Sequence, residues 1–180
     1  MLLGARCDEL APLLREVHQR ATLLRGTVTV TRGAGPLARF LANLAGMPRA
    51  CRVAPCEVRF EQSAAAGGAE RWVREMAGRR FSSLLVPVAE GEFEESFGWF
   101  RFRFALDLDN GAVEFALRGW SVLGLPLPRA LWPDIRTRES QQGDEYLFAV
   151  SAALPLLGLL VAYSGRLRIA QAGAGEGGGP

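Results

Sequence analysis

Two charged residues stand where alternation predicts a buried face: Arg74 between Trp72 and Met76, and Glu95 between Phe93 and Phe97. A guanidinium and a carboxylate taken out of water need each other, because an unpaired buried charge costs several kcal/mol. Together they would make a polar anchor in an apolar interior and hold the head group of a small apolar or amphipathic ligand. Trp72 and Phe93 would be their apolar neighbours, with Tyr146 and Tyr163 as further inward polar tips. A competing reading has a bulge turn one or both charges to solvent, or makes them a purely structural pair.

A second constellation, Trp99, Arg101, Arg103, Arg118 and Trp120, falls on the opposite face of its hairpin. Like charges facing each other across strands are mildly unfavourable, so an anion or a partner protein is one way to stabilise them. An ordinary solvated sheet face, its arginines spread by Asp107 and Glu114, is the other reading. Arg32-Gly33-Ala34-Gly35 leads into a helix whose free amides can hold an anion, though the glycines equally serve a strand-to-helix turn. His18 is the single histidine and falls near a helix end, where a cation suits the dipole; capping is expected and catalysis is the alternative. There is no G-x-S-x-G elbow and no cysteine with a second histidine to activate it, so familiar serine or cysteine catalysis is not expected. Glu95 as a general acid or base would lack a readable oriented partner.

These residues must be positioned mainly by strands. From Phe100 to Leu108, Phe and Leu alternate with Arg, Ala and Asp, the period of a half-buried strand. Asn110-Gly111 supplies the two residues of a type I′ turn, and Val113, Phe115 and Leu117 return on the same face. That register sets Leu108 against Val113, Leu106 against Phe115 and Phe104 against Leu117. Further strands are expected near Thr27–Thr31, Val58–Phe60, Trp72–Met76, Phe81–Val86, Glu92–Phe97, Ile135–Ser140, Tyr146–Val150 and Leu159–Ile169, with frequent glycine punctuation such as Gly67-Gly68. Asp8 reads as the N-cap of a helix over 8–20, with Leu10, Leu13, Leu14 and Val17 as its apolar stripe. Gly35-Pro36 opens a second helix over 36–46, whose Leu37, Phe40, Leu41 and Leu44 form one apolar face.

The 180 residues suffice for one domain with a sizeable core or a modest cavity, expected over 1–169 with strands from about 55 onward and a disordered Gly/Ala tail at 170–180. A net charge of +2, all 21 basic residues being Arg, gives no nucleic-acid footprint. Cys7, Cys51 and Cys56 form no CxxC pair, which with a single histidine removes the usual metal ligands and fits a reducing cytoplasm. Arg6, Asp8 and Glu9 leave no apolar core for a signal peptide, and the run Ala152–Ala162 is interrupted by Pro155 and Gly158, so no membrane span and no cofactor are expected.

Several strings taken together carry a resemblance: RGAGPLARFLANLAGMP (32–48), ERWVREMAGRRFSS (70–83), ESFG (95–98), LGLPLPRALWP (123–133) and ALPLLGLLVAYSGRL (153–167). Over roughly Leu23 to Leu167 the chain resembles the bacterial domain-of-unknown-function family 4166. In that family the domain stands alone or is fused to a saccharopine-dehydrogenase-like, nicotinamide-dependent oxidoreductase domain. The chain departs from the family's FGP with Trp99, and from its YRGWL with YSGRL at Tyr163–Leu167. No G-x-G-x-x-G follows a strand, so no nicotinamide domain is read in this chain itself.

The expected fold is therefore mainly β: a strongly curved antiparallel sheet or lipocalin-like barrel of about eight to ten strands. One helix lies between the first two strands and one precedes them. A helix-grip fold is the alternative, disfavoured because the chain ends in Gly and Ala where that fold ends in a long helix. A non-catalytic ligand-binding module is the expected function, and a docking domain for a nicotinamide-dependent oxidoreductase partner is the alternative. An internal cavity would favour the first; a filled core with an exposed Trp–Arg patch would favour the second.

Overall fold

The strands pair in one continuous antiparallel ring. A computed structural model describes residues 4–20, 22–62 and 68–170. Its strands are β1 (Thr22–Arg32), β2 (Cys51–Gln62), β3 (Glu70–Met76), β4 (Arg79–Ala89), β5 (Glu92–Phe97), β6 (Phe100–Asp109), β7 (Ala112–Val122), β8 (Leu125–Pro126), β9 (Asp134–Gln142), β10 (Glu145–Leu154) and β11 (Gly158–Ile169). All pairings are antiparallel, β6 closes on β7, and β8 is a two-residue return on β7, which leaves a closed barrel of ten strands. Closure pairs each of the ten barrel strands on both sides, most sparsely between β7 and β9. The expected tail at 170–180 and the expected turn at Gly67-Gly68 lie largely outside the described residues.

The Asn110-Gly111 hairpin forms in the expected register, both residues taking positive φ (50° and 78°). Phe104, Leu106, Val113 and Phe115 are buried as one wall. Beyond Leu117 the ladder slips at a bulge, so that Phe102 faces Trp120, the two rings stacked with an interplanar angle of 1°. Trp120 is thereby on the inner face, a correction to the outer-face reading. A single extra residue, Arg118, reverses the alternation.

Helix α1 (Pro12–Gln19) crosses the end of the barrel where the β6–β7 turn lies. Its start differs from the expected Asp8 cap: residues 4–9 wind as a 3-10 turn, and the helix begins at Pro12 with Ala11 as N-cap. Proline pre-sets φ and has no amide to leave unpaired. The next amide, Leu13 N–H, donates to Gln141 Oε1 at 2.9 Å, while Gln62 Nε2 donates to the Gln19 carbonyl at 2.8 Å. Leu10, Leu14 and Val17 are buried as the stripe requires.

Helix α2 (Pro36–Leu44) sits at the opposite end, between β1 and β2, and lies against β11. The face it buries is Ala38 and Ala42, whereas Leu37, Phe40 and Leu44 are 52%, 61% and 58% exposed. Most of the expected apolar face is thus turned to solvent. The barrel wall already covers its own core, so α2 has only a strand surface to lie on, and small side chains let it lie closest. No helix follows β11 within the described residues.

Candidate functional site

The interior divides into two polar levels separated by aromatic packing. Nearer α1, His18 is buried at the end of that helix, its Nε2 2.9 Å from Glu139 Oε2 and its Nδ1 4.0 Å from Glu70 Oε2. Trp72 Nε1 donates to the same Glu70 oxygen at 3.1 Å. Burial by itself would lower the imidazole pKa, but the bond to Glu139 and the charge of Glu70 overcome it and hold the ring at about 9. His18 is thus an internal cation between two buried carboxylates, a correction to the surface-capping role. Tyr146 stands beside Glu139, and burial first, then that carboxylate, keeps its phenol well above the ordinary value.

Nearer α2 lies a cavity of about 140 Å³. It is lined by Trp72, Arg74, Phe81, Glu95, Phe97, Phe102 and Tyr163 among others, and Met47 and Pro48 close it from the segment after α2. Strands β3, β4 and β5 supply its polar wall along a diagonal across the ladder. Arg74 of β3 donates from Nη1 to Ser83 Oγ of β4 at 2.8 Å, and its Nη2 is 3.5 Å from Glu95 Oε1 of β5. The two side chains are 13% and 18% exposed. Trp72 and Phe81 lie 5.0 and 5.8 Å from the guanidinium carbon, so cation–π contact adds to the ion pair. At 3.5 Å the pair is looser than a direct charge-assisted bond, and Glu95 can accept from a further donor. Burial pushes the Tyr163 phenol up to about 12, which keeps it a neutral donor at physiological pH.

Of the residues expected to meet, Arg74, Glu95, Trp72 and Tyr163 line this one cavity. Phe93 is fully buried among Phe104 and Phe115, and Tyr146 belongs to the His18 level, so neither lines it. The expected Trp–Arg surface is not assembled. Arg101 pairs with Glu94 at 3.5 Å, Arg103 with Glu92 at 2.7 Å, Arg118 is exposed, and Arg32 donates to Asn43 at the other side of the barrel. The carboxylates that separate the arginines come from β5, not from Asp107 and Glu114. His18, Glu70 and Glu139 are the polar residues that sequence reasoning did not join. Their legible signal is that Glu70 shares the inward face of Trp72 and Arg74.

A groove of about 520 Å³ lies outside the wall, between Thr29, Thr31, Ser151, Ser164, Arg136 and Arg138. Strands β7 and β9 meet there through only two register pairs, Val113–Glu139 and Glu114–Arg138. Phe115, Ile135, Thr137, Val150 and Tyr163 border both the groove and the cavity.

At two of the three cysteines the environment opposes nucleophilic chemistry: burial raises the Cys7 thiol and pushes Cys56 up to about 12. Among the described residues, no group of His, Cys, Asp and Glu is placed to hold a metal ion, and no helix is long and apolar enough to cross a membrane. No curated protein matches the sequence. The family model described as a domain of unknown function, DUF4166, matches residues 10–167, which is most of the barrel and both helices. The chain belongs to the DUF4166 family.

Proposed function

We propose that the barrel is a non-catalytic binding module for a small amphipathic molecule, its apolar body among Phe97, Phe102 and Val161 and its polar head against Arg74, Glu95 and Tyr163. The observation that carries this reading is an apolar cavity whose charged lining, among the described residues, is one loose ion pair. A cavity near 140 Å³ matches a single aromatic ring, since cavities of about 150 Å³ accept benzene. A longer ligand would continue past the sparsely paired β7–β9 wall toward the outer groove. A docking role on an oxidoreductase would call for an exposed Trp–Arg face, and Trp120 stacks inward while Arg101 and Arg103 are paired.

Calorimetric titration with benzylamine, benzyl alcohol and phenylacetate tests the reading. Benzylamine should bind most tightly through Glu95, and Glu95→Gln should weaken it by about tenfold, the loss expected of a charge-assisted bond. Ala152→Phe, which fills the cavity without touching a charge, should abolish binding of all three. Failure of every probe to bind, or equal binding by the filled variant, would overturn the proposal.

A further inference from the structure

We infer that the α2 end of the barrel is a docking surface for an anionic lipid bilayer. Strand directions put α2 and the turns 77–78, 98–99, 123–133 and 155–157 at this one end. Large apolar side chains stand out from it: Leu37, Phe40 and Leu44 of α2, with Trp99, Leu125 and Leu156 in the turns, are 52% to 104% exposed. Leu44 and Trp99 border one groove, so the helix and the β5–β6 turn form a continuous apolar rim. α2 seats its alanines on the barrel and presents its bulky residues to solvent at i, i+3 and i+7, the spacing of an apolar face left without cover among the described residues.

Charge chooses the occupant. The connections at this end, 33–50, 77–78, 98–99, 123–133 and 155–157, contain no Asp or Glu and do contain Arg39, Arg49 and Arg129. Arg52, Arg79 and Arg80 flank them on the strand ends, where the acids are Glu75, in register with Arg80, and Asp134, paired with Arg136. Arg32 is held below the ordinary arginine value by its own burial and then by neighbouring Arg79 and Arg39, the mark of a basic cluster. At the opposite end the turns carry Glu90 and Asp144, and Asp109 ends β6. Apolar side chains interspersed with arginines that outnumber the acids suit an interface of acyl chains beneath anionic head groups. A second copy fits less well, because a two-fold face-to-face contact would set arginine against arginine. This inference stands apart from the cavity reading, since none of the rim residues named is needed to bind a ligand inside.

Vesicle co-sedimentation of the full chain is the test, comparing phosphatidylcholine alone with phosphatidylcholine mixed with phosphatidylglycerol. The protein should sediment only with the mixed vesicles and be released by high salt, while Trp99 fluorescence shifts to the blue, a shift missing in Trp99→Phe. Phe40→Glu with Leu44→Glu should lower partitioning by at least about tenfold, as loss of two inserted apolar side chains requires. Arg39→Glu with Arg49→Glu should do likewise, and Ala152→Phe should leave partitioning unchanged. Equal binding to both vesicle types would overturn the anionic assignment. No binding to either, or a dimer in sedimentation velocity that Phe40→Glu dissolves, would overturn the bilayer assignment, and the dimer would make the rim an interface between copies.

Discussion

His18 of α1 bonds to Glu139 of β9 at 2.9 Å and lies 4.0 Å from Glu70 of β3, and these two strands are five places apart whichever way the ten-strand ring is followed. The imidazolium therefore ties α1 to both sides of the barrel across its centre. Two carboxylates brought this close inside a barrel would repel each other strongly without a cation between them. The helix that covers this end thus also supplies the charge that lets the wall close.

Stability should fall as pH rises through this site. The folded state holds the His18 proton up to about pH 9, whereas the unfolded chain releases it near 6.5. A raised folded pKa stabilises fully below 6.5 and is lost between 6.5 and 9, in this case by roughly 3 kcal/mol. Urea midpoints measured across that interval should decline in the wild type. His18→Gln, neutral throughout, should be less stable below 6.5 and flat across the window; an equally steep wild-type-like decline in this variant would remove His18 as its source.

The hairpin wall should show graded costs. Phe104 is 2% exposed and packs on Phe93 and Phe115, so Phe104→Ala should lose about 3 to 5 kcal/mol. Phe102 borders the cavity and is half-buried, so its truncation should cost less. Arg103→Ala breaks only an exposed pair with Glu92 and should stay within about 1 kcal/mol. Equal denaturation midpoints for the three variants would contradict the assigned facing.

Gly111→Val should damage two elements together. Gly111 has φ of +78°, a conformation β-branched residues resist, and a Cβ there would lie 3.3 Å from the Ala11 nitrogen. Its carbonyl also accepts the Ala11 amide at 3.1 Å, which seats the start of α1. A loss above about 2 kcal/mol is expected, with faster hydrogen exchange in α1 as well as in the turn. Faster exchange confined to residues 108–113 would show that the turn and the helix are uncoupled.

Gly165→Ala probes why a glycine stands inside a strand. A Cβ there would come 2.5 Å from the Thr27 carbonyl oxygen and 2.6 Å from the Phe148 ring, so β1 and β11 would have to part or Phe148 would have to move. The expected loss is about 1 to 3 kcal/mol, the usual cost of overpacking. Adding Phe148→Leu should recover part of it; if the double variant is simply the sum of the two singles, the ring is not the obstacle.

How far these features could be read from the chain follows from the range of the interactions that set them. Period-two alternation is local, so the β6–β7 register from Phe104 to Asp109 was legible, and legibility stopped at Arg118 because a bulge leaves no mark in a hydrophobic pattern. For α2 the pattern identified the helix but not its partner. Leu37, Phe40 and Leu44 announce a sticky face, while the contact that seats the helix belongs to two alanines that carry no signal. The cavity pair was readable because Arg74 and Glu95 each break an apolar face. His18, Glu70 and Glu139 come from three distant segments, and only their assembly makes them one site.

The Arg74–Glu95 pair makes the sharpest energetic prediction. Removing the guanidinium leaves a carboxylate that is 18% exposed facing Phe97 and Phe102, and leaves Ser83 without its donor. Arg74→Ala should therefore cost about 2 to 4 kcal/mol, toward the lower end of what breaking a buried pair costs, since both groups keep some water. Glu95→Gln retains the volume and can still accept from Arg74, so it should cost under about 1 kcal/mol. The double variant distinguishes a true pair from two independent residues. If the 3.5 Å contact is energetically real, Arg74→Ala with Glu95→Gln should be more stable than the sum of the singles predicts, by about 1 kcal/mol or more. Strict additivity in the cycle would instead assign the stability of Arg74 to its contacts with Trp72, Phe81 and Ser83, and would leave Glu95 held in the cavity wall by packing alone.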